Sequence, residues 1–240
     1  MKDELERPER KTSVRMLSPK GKIAYLRPKL RLIIPIAVIV IVLGSGFWIY
    51  ESLHGSGTAS PQKKSQNKLQ DQFLTQLPQL QASIAKDPNN PSLQQQLGVA
   101  KYATGDLQGA LAAYQKTVQL NPNNAVAHNN LANTYRDLGN YVQAEAEYRL
   151  AMKTDPKLTT PYMNLASIYQ YILGKPDTAI TIYDQGIKNN PDYVDFYNAE
   201  AFVYEQEGLK TKAIQSFNEA LKVQAGNPTA AAGIKRLGTK

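Results

Sequence analysis

Residues 125–158 read AVAHNNLANTYRDLGNYVQAEAEYRLAMKTDPKL. Small residues stand at Ala132 and Ala144, a large ring at Tyr148, and Gly139 lies between two stretches of helix-favouring sequence. Small side chains let two helix axes approach closely, and a ring fills the gap that remains. Gly139 suits the positive-φ end of a first helix, and Asp155-Pro156 ends a second, because the residue before proline avoids helical backbone. The stretch predicts one helical hairpin.

Working outward, the same arrangement recurs. Asp87-Pro88, Asn121-Pro122, Asp155-Pro156 and Asn190-Pro191 stand 34, 34 and 35 residues apart. They divide residues 91–227 into four units: 91–124, 125–158, 159–193 and 194–227. Gly98, Ala132, Ala166 and Ala201 fall on first helices; Ala110, Ala144, Ala179 and Ala213 fall on second helices, followed by Tyr114, Tyr148, Tyr183 and Phe217. No hairpin of this size buries its apolar faces alone, so stacking must supply the core. The third unit carries one extra residue at Leu173-Gly174-Lys175-Pro176, which predicts a looser junction between its helices. The fourth ends in Ala225-Gly226-Asn227-Pro228 in place of Asp-Pro, which predicts a looser exit. A last helix, about Thr229 to Leu237 within 228–240, caps the stack.

These residues resemble the tetratricopeptide repeat family, whose pattern runs W-x2-L-G-x2-Y, then A-x3-F, A and P. Leu97-Gly98, Leu131-Ala132 with Tyr135, Leu165-Ala166 with Tyr169, and Ala201 with Tyr204 carry the first half of it. The Trp position is filled by Gln94, His128, Tyr162 and Tyr197. The resemblance covers 91–227 and implies an all-α solenoid of about four helical hairpins plus capping helices. It also implies that the first helices line a concave groove for a protein or peptide partner. The family's groove positions fall on Gln96, Asn129, Asn130, Asn133, Arg136, Asn164, Ser167, Tyr171, Asn198 and Phe202, among others. That groove is amide-rich and nearly neutral, and amides offer donors and acceptors together. Asn130 and Asn164 take equivalent positions and resemble the family's asparagine ladder. The cations of its carboxylate clamp are absent apart from Arg136.

Composition narrows the chemistry. The chain has 240 residues, no cysteine and two histidines. Thiol catalysis, thiolate metal sites and disulfides are excluded. His54 lies in a spacer, and His128 takes a core position, so no catalytic residue, metal site or cofactor is expected. The net charge of +8 is concentrated at the start: residues 1–31 contribute +6, whereas 51–88 and 89–240 contribute +1 each. The repeats are electrically balanced, which removes the main argument for nucleic acid as a partner.

Between Arg31 and Glu51 no charged residue occurs, and 32–50 reads LIIPIAVIVIVLGSGFWIY. As a helix these 19 residues span about 28 Å, close to a hydrocarbon core of about 30 Å. A single transmembrane signal-anchor helix is expected. An uncleaved anchor is favoured over a signal peptide, whose apolar region runs about 7–15 residues; Gly57 and Ala59 leave cleavage after Ala59 open. Lys20, Lys22, Arg27, Lys29 and Arg31 flank one side, which puts the basic tail 1–31 in the cytoplasm and the repeats outside it, in the cell envelope. The tail sets topology, and contact with anionic lipid headgroups is the sharper alternative.

His54 to Pro61 is flexible in composition and lies in a linker, 51–64. Across 65–90, Leu69, Phe73, Leu77, Leu80 and Ile84 form a helical stripe, with Pro78 expected to kink or divide it. This leading helix caps the array; a short coiled coil is the alternative. The functional expectation is a non-enzymatic, membrane-anchored scaffold or chaperone holding a protein partner in its groove. The alternative is an assembly subunit of an envelope complex that acts through oligomerisation.

Overall fold

The computed structural model describes residues 61–238, and these form ten α-helices with no strand among them. α1 is Pro61–Lys86. Four hairpins follow: α2 (Pro91–Ala103) with α3 (Leu107–Leu120), α4 (Ala125–Asp137) with α5 (Tyr141–Thr154), α6 (Thr160–Ser167) with α7 (Pro176–Asn189), and α8 (Val194–Gln206) with α9 (Lys210–Val223). α10 (Pro228–Gly238) ends the series. Each helix packs on the next in chain order. The basic tail 1–31 and the apolar run 32–50 lie outside the described residues, and among those described no helix is long and apolar enough to cross a membrane.

The leading helix begins at Pro61, inside the stretch read as linker, and stops at Lys86 instead of Asn90. Proline is well suited to a first helical position, where its missing N–H has no partner to lose. Pro78 does not divide the helix, which runs on through it. Its ring is exposed, so the Leu74 carbonyl that loses its amide partner sits on the solvent side.

Small-to-large complementarity builds the core. Ala110, Ala132, Ala144, Ala166, Ala179, Ala201 and Ala213 are buried, as are Tyr114, Tyr148, Tyr183 and Phe217. Gly98 lies under the Tyr114 ring, where an added Cβ would meet ring carbon at 2.5 Å. The side chains at the Trp position, of three kinds, share one task. Gln94 Nε2 donates to the Pro88 carbonyl at 3.2 Å, and Tyr162 and Tyr197 hydroxyls donate to the Pro156 and Pro191 carbonyls at 3.3 and 3.0 Å. His128 places Nε2 2.9 Å from the Pro122 carbonyl and Nδ1 2.6 Å from Glu147. A carbonyl only accepts, so Nε2 carries a proton. Each unit is thereby tied to the turn before it.

The expected loose junction in the third unit is not found. Its extra residue is taken up inside the first helix, as a π turn over Ile168–Ile172. In the second and fourth units the turn closes with Asn140 N donating to the Tyr135 carbonyl and Leu209 N to the Tyr204 carbonyl, both at 2.8 Å. In the third, Lys175 N donates to the Tyr169 carbonyl at 2.8 Å, one residue further along. Gly174 still turns the chain at φ +61, as Gly139 does at +79. Widening one helical turn keeps Ile168, Tyr169, Ile182 and Tyr183 buried; displacing them would forfeit their burial.

The exit from the fourth unit is not loose either. Asn227 is buried, and its Oδ1 accepts from Ala230 N at 3.0 Å to cap α10. Asn124 does the same three repeats earlier, accepting from Ala127 N at 2.9 Å to cap α4.

Candidate functional site

The first helices of the units share one face, and side chains bind them across it. Asn124 Nδ2 donates to Gln95 Oε1 at 2.7 Å, and the Tyr102 hydroxyl donates to Asp137. Asn164 Nδ2 donates to Asn133 Oδ1 at 2.9 Å, and Gln170 Nε2 donates to Gln206 Oε1 at 2.7 Å. Arg236 grips Glu205 with two bonds of 2.7 and 2.6 Å, which brings α10 onto the same face.

The second helices supply the floor, and its polarity varies along the array. In the second unit the Tyr148 hydroxyl reaches through to Asn133 Oδ1 at 2.6 Å. In the fourth the equivalent pair is apolar: Phe202 and Phe217 meet edge to face, centroids 5.5 Å apart. The floor is therefore polar in the second unit and apolar in the fourth.

Several of its charges pair with one another. Arg136 Nε donates to Asp137 Oδ1 at 2.8 Å, and the same carboxylate takes the Tyr102 hydroxyl. Burial, with the bond to Asp137 second, pushes the Tyr102 phenol up to about 12. Burial likewise raises the Tyr171 phenol above its ordinary value. Both remain neutral hydrogen-bonding groups at any physiological pH.

The sequence-assigned residues do not all stand ready for a ligand. Gln96 is exposed, and Asn130, Asn133, Arg136, Asn164, Ser167 and Tyr171 are half-buried on the shared face. Asn129 and Asn198 are only 7% and 6% exposed, and neither Oδ1 finds a hydrogen-bond partner. Phe202 is half-buried, with the Arg236 guanidinium 5.9 Å from its ring centroid. Their repeat positions are those of groove residues, but burial depends on what the neighbouring helix brings.

Sequence reasoning missed residues as well. Phe73, Gln76, Gln79 and Leu80 of α1 line a cleft with Gln96 and Val99 of α2. The signal was present as the apolar stripe of α1, which was read as a lid. No group of three or more His, Cys, Asp or Glu side chains placed to hold a metal occurs among the described residues.

Comparison with known proteins places this geometry. Family models described as TPR repeat and Tetratricopeptide repeat match residues 98–139, 125–158 and 166–232. The crystal structure of MamA superposes with a TM-score of 0.58 at 23% identity, covering 70% of this chain and 96% of that one. MamA from Desulfovibrio magneticus RS-1 gives 0.55 at 17%, covering 69% and 96%. YrrB, described as a TPR protein with an unusual peptide-binding site, gives 0.51 at 16%, covering 67% and 84%. The search of curated proteins finds no match. Repeat models that together reach across most of the hairpins, and solved repeat proteins with the same fold, identify the chain as a member of the tetratricopeptide repeat family.

Proposed function

We propose that this chain is a non-enzymatic scaffold of chaperone-like character that holds an extended peptide of a protein partner against its first-helix groove. The observation that carries the reading is the Asn133–Asn164 link on a face where Arg136 is paired with Asp137 and Arg236 with Glu205. Asn133 spends its Oδ1 on Tyr148 and Asn164, which leaves its Nδ2 as a donor. Asn164 spends Nδ2 and keeps Oδ1 as an acceptor. A donor and an acceptor side by side match the alternating groups of an extended backbone, whatever its sequence. YrrB, with its peptide-binding site on the same fold, supports the class of partner.

Replacing Asn130, Asn164 and Tyr171 together by alanine is expected to lower capture of a crosslinked envelope partner at least tenfold, with helicity unchanged. Each lost hydrogen bond contributes about 0.5–1.5 kcal/mol. Undiminished capture removes the groove from the reading.

The setting we propose is the cytoplasmic membrane, with residues 32–50 as a single-pass anchor, the basic tail inside beside anionic headgroups, and the repeats outside. The length of the apolar run and the Lys/Arg bias support it. A C-terminal reporter that works only outside the cytoplasm is expected to be active. Activity of a cytoplasm-only reporter there overturns the topology.

A further inference from the structure

We propose that α1 is one wall of a second peptide-binding cleft, which takes an extended, uncharged stretch of protein bearing aliphatic side chains. The helix packs on α2 without closing flush against it, leaving a cleft of about 510 Å³ between them. That falls within the roughly 300–1,000 Å³ of ordinary ligand clefts. A helix that served only to cap the array would bury its stripe on α2 and leave no such space.

The lining states the chemistry of the occupant. Phe73 and Leu80 from α1 face Leu93 and Val99 from α2; the first three are half-buried, and Val99 is 36% exposed. Their apolar surface is available for an aliphatic side chain to bury. Gln76 and Gln79 stand on one rim, with Gln95 and Gln96 opposite. No ionisable side chain lines the cleft. A charged side chain entering it would shed water with no counter-charge to meet, which is costly. Amides on both rims present donors and acceptors, which reward a ligand whose own backbone groups are unpaired. An extended chain has such groups along its length, whereas a helix has them only at its ends. Extended and uncharged is the form that fits.

The inference goes beyond the groove reading, since five of the eleven lining residues belong to a helix outside the repeats. The two sites meet at Gln96 and at Gln95, which bonds Asn124 on the shared face, so one peptide can run from the cleft into the groove.

The test uses the full-length chain in detergent micelles, with photoreactive benzoylphenylalanine in place of Gln72 or of Val126. Gln72 is exposed one helical turn before Gln76, and Val126 is 45% exposed in the first turn of α4, the helix that carries Asn129, Asn130 and Asn133. The probes are two synthetic dodecapeptides, three repeats of Ser-Val-Asn-Leu and three of Ser-Glu-Asn-Lys. Position 72 is expected to label the first peptide at least ten times more strongly than the second. Val99→Glu, at an exposed site, is expected to reduce that labelling at least tenfold with far-ultraviolet helicity unchanged, and Gln79→Glu to reduce it in the same direction. Equal labelling of both peptides, no labelling at position 72, or crosslinking to another copy of the chain in place of the peptide overturns the cleft. Labelling at 126 without 72 overturns the cleft and leaves the groove standing; labelling at 72 without 126 does the reverse.

Discussion

Phe196→Ala is expected to destabilise the folded repeats by about 3–5 kcal/mol, the range for removing a large buried ring. Phe196 is fully buried between the third and fourth units. It meets Tyr193 edge to face at 4.9 Å between centroids and Tyr162 at 5.9 Å, so two rings hold it in place. It has room because Gly186 lies beneath it on α7. A Cβ on that glycine would come within 2.6 Å of the ring. Gly186→Ala alone is therefore expected to destabilise by about 1–3 kcal/mol through overpacking, partly offset by alanine's better helix propensity, about 1 kcal/mol. In the Phe196→Ala background the same change should reverse sign and recover about 1 kcal/mol, because the ring that objected is gone. Urea unfolding of the four proteins checks this. Because repeats couple to their neighbours, Phe196→Ala should also split the transition, with α8–α10 melting first. A Gly186→Ala effect of the same sign in both backgrounds would show that the ring and the glycine are not a matched pair.

Glu200→Leu is expected to stabilise the protein at neutral pH by on the order of 2–3 kcal/mol and to remove a pH dependence that the native chain possesses. The position it occupies on α8 is Leu97, Leu131 and Leu165 in the other units. The Glu200 side chain is 8% exposed and accepts from Ser216 Oγ at 2.6 Å. Burial pushes its carboxyl from 4.5 up to about 7; the Ser216 bond pulls the other way, Asp184 on α7 adds to the rise, and Lys212 on α9 opposes it. The folded state thus binds the proton more tightly than the unfolded chain does. Stability from the protonated form is complete below about 4.5, falls as pH rises, and is gone above about 7. At about 1.4 kcal/mol per unit the loss is on the order of 3 kcal/mol. Unfolding free energies of the native chain and the leucine variant, followed from pH 4 to pH 8 (roughly the window bounded by those two values), should converge at the acid end and diverge toward neutrality. Parallel curves would remove Glu200 as the source.

The repeat was legible because its signals are local and periodic. Proline at a fixed interval, glycine at the turn and alternating small and large residues each act within one hairpin. The site was legible only in outline. Repeat position put Asn133, Arg136 and Asn164 on one face, but it gave the nearly buried Asn129 and Asn198 the same standing. Asn198 donates to Asn227 Oδ1 at 3.3 Å, and the Arg236 guanidinium lies 5.9 Å from the Phe202 ring centroid. Asn227 closes the fourth unit and Arg236 comes from beyond it, on α10, so no pattern inside that unit announces the second contact. The cleft beside α1 was hidden for a related reason: an amphipathic stripe says that a face will be covered, not how closely.

Sequence alone determined the all-α class, the length of each hairpin and the identity of the rings that fill it, since backbone preference and hydrophobic spacing settle those within about 34 residues. Tertiary structure decided the rest. It put the third unit's extra residue into a π turn, matched Gly186 to Phe196, and paired several of the groove's charges with one another. Each is a contest between neighbouring helices for the same volume or the same hydrogen bond, and its outcome depends on both partners at once.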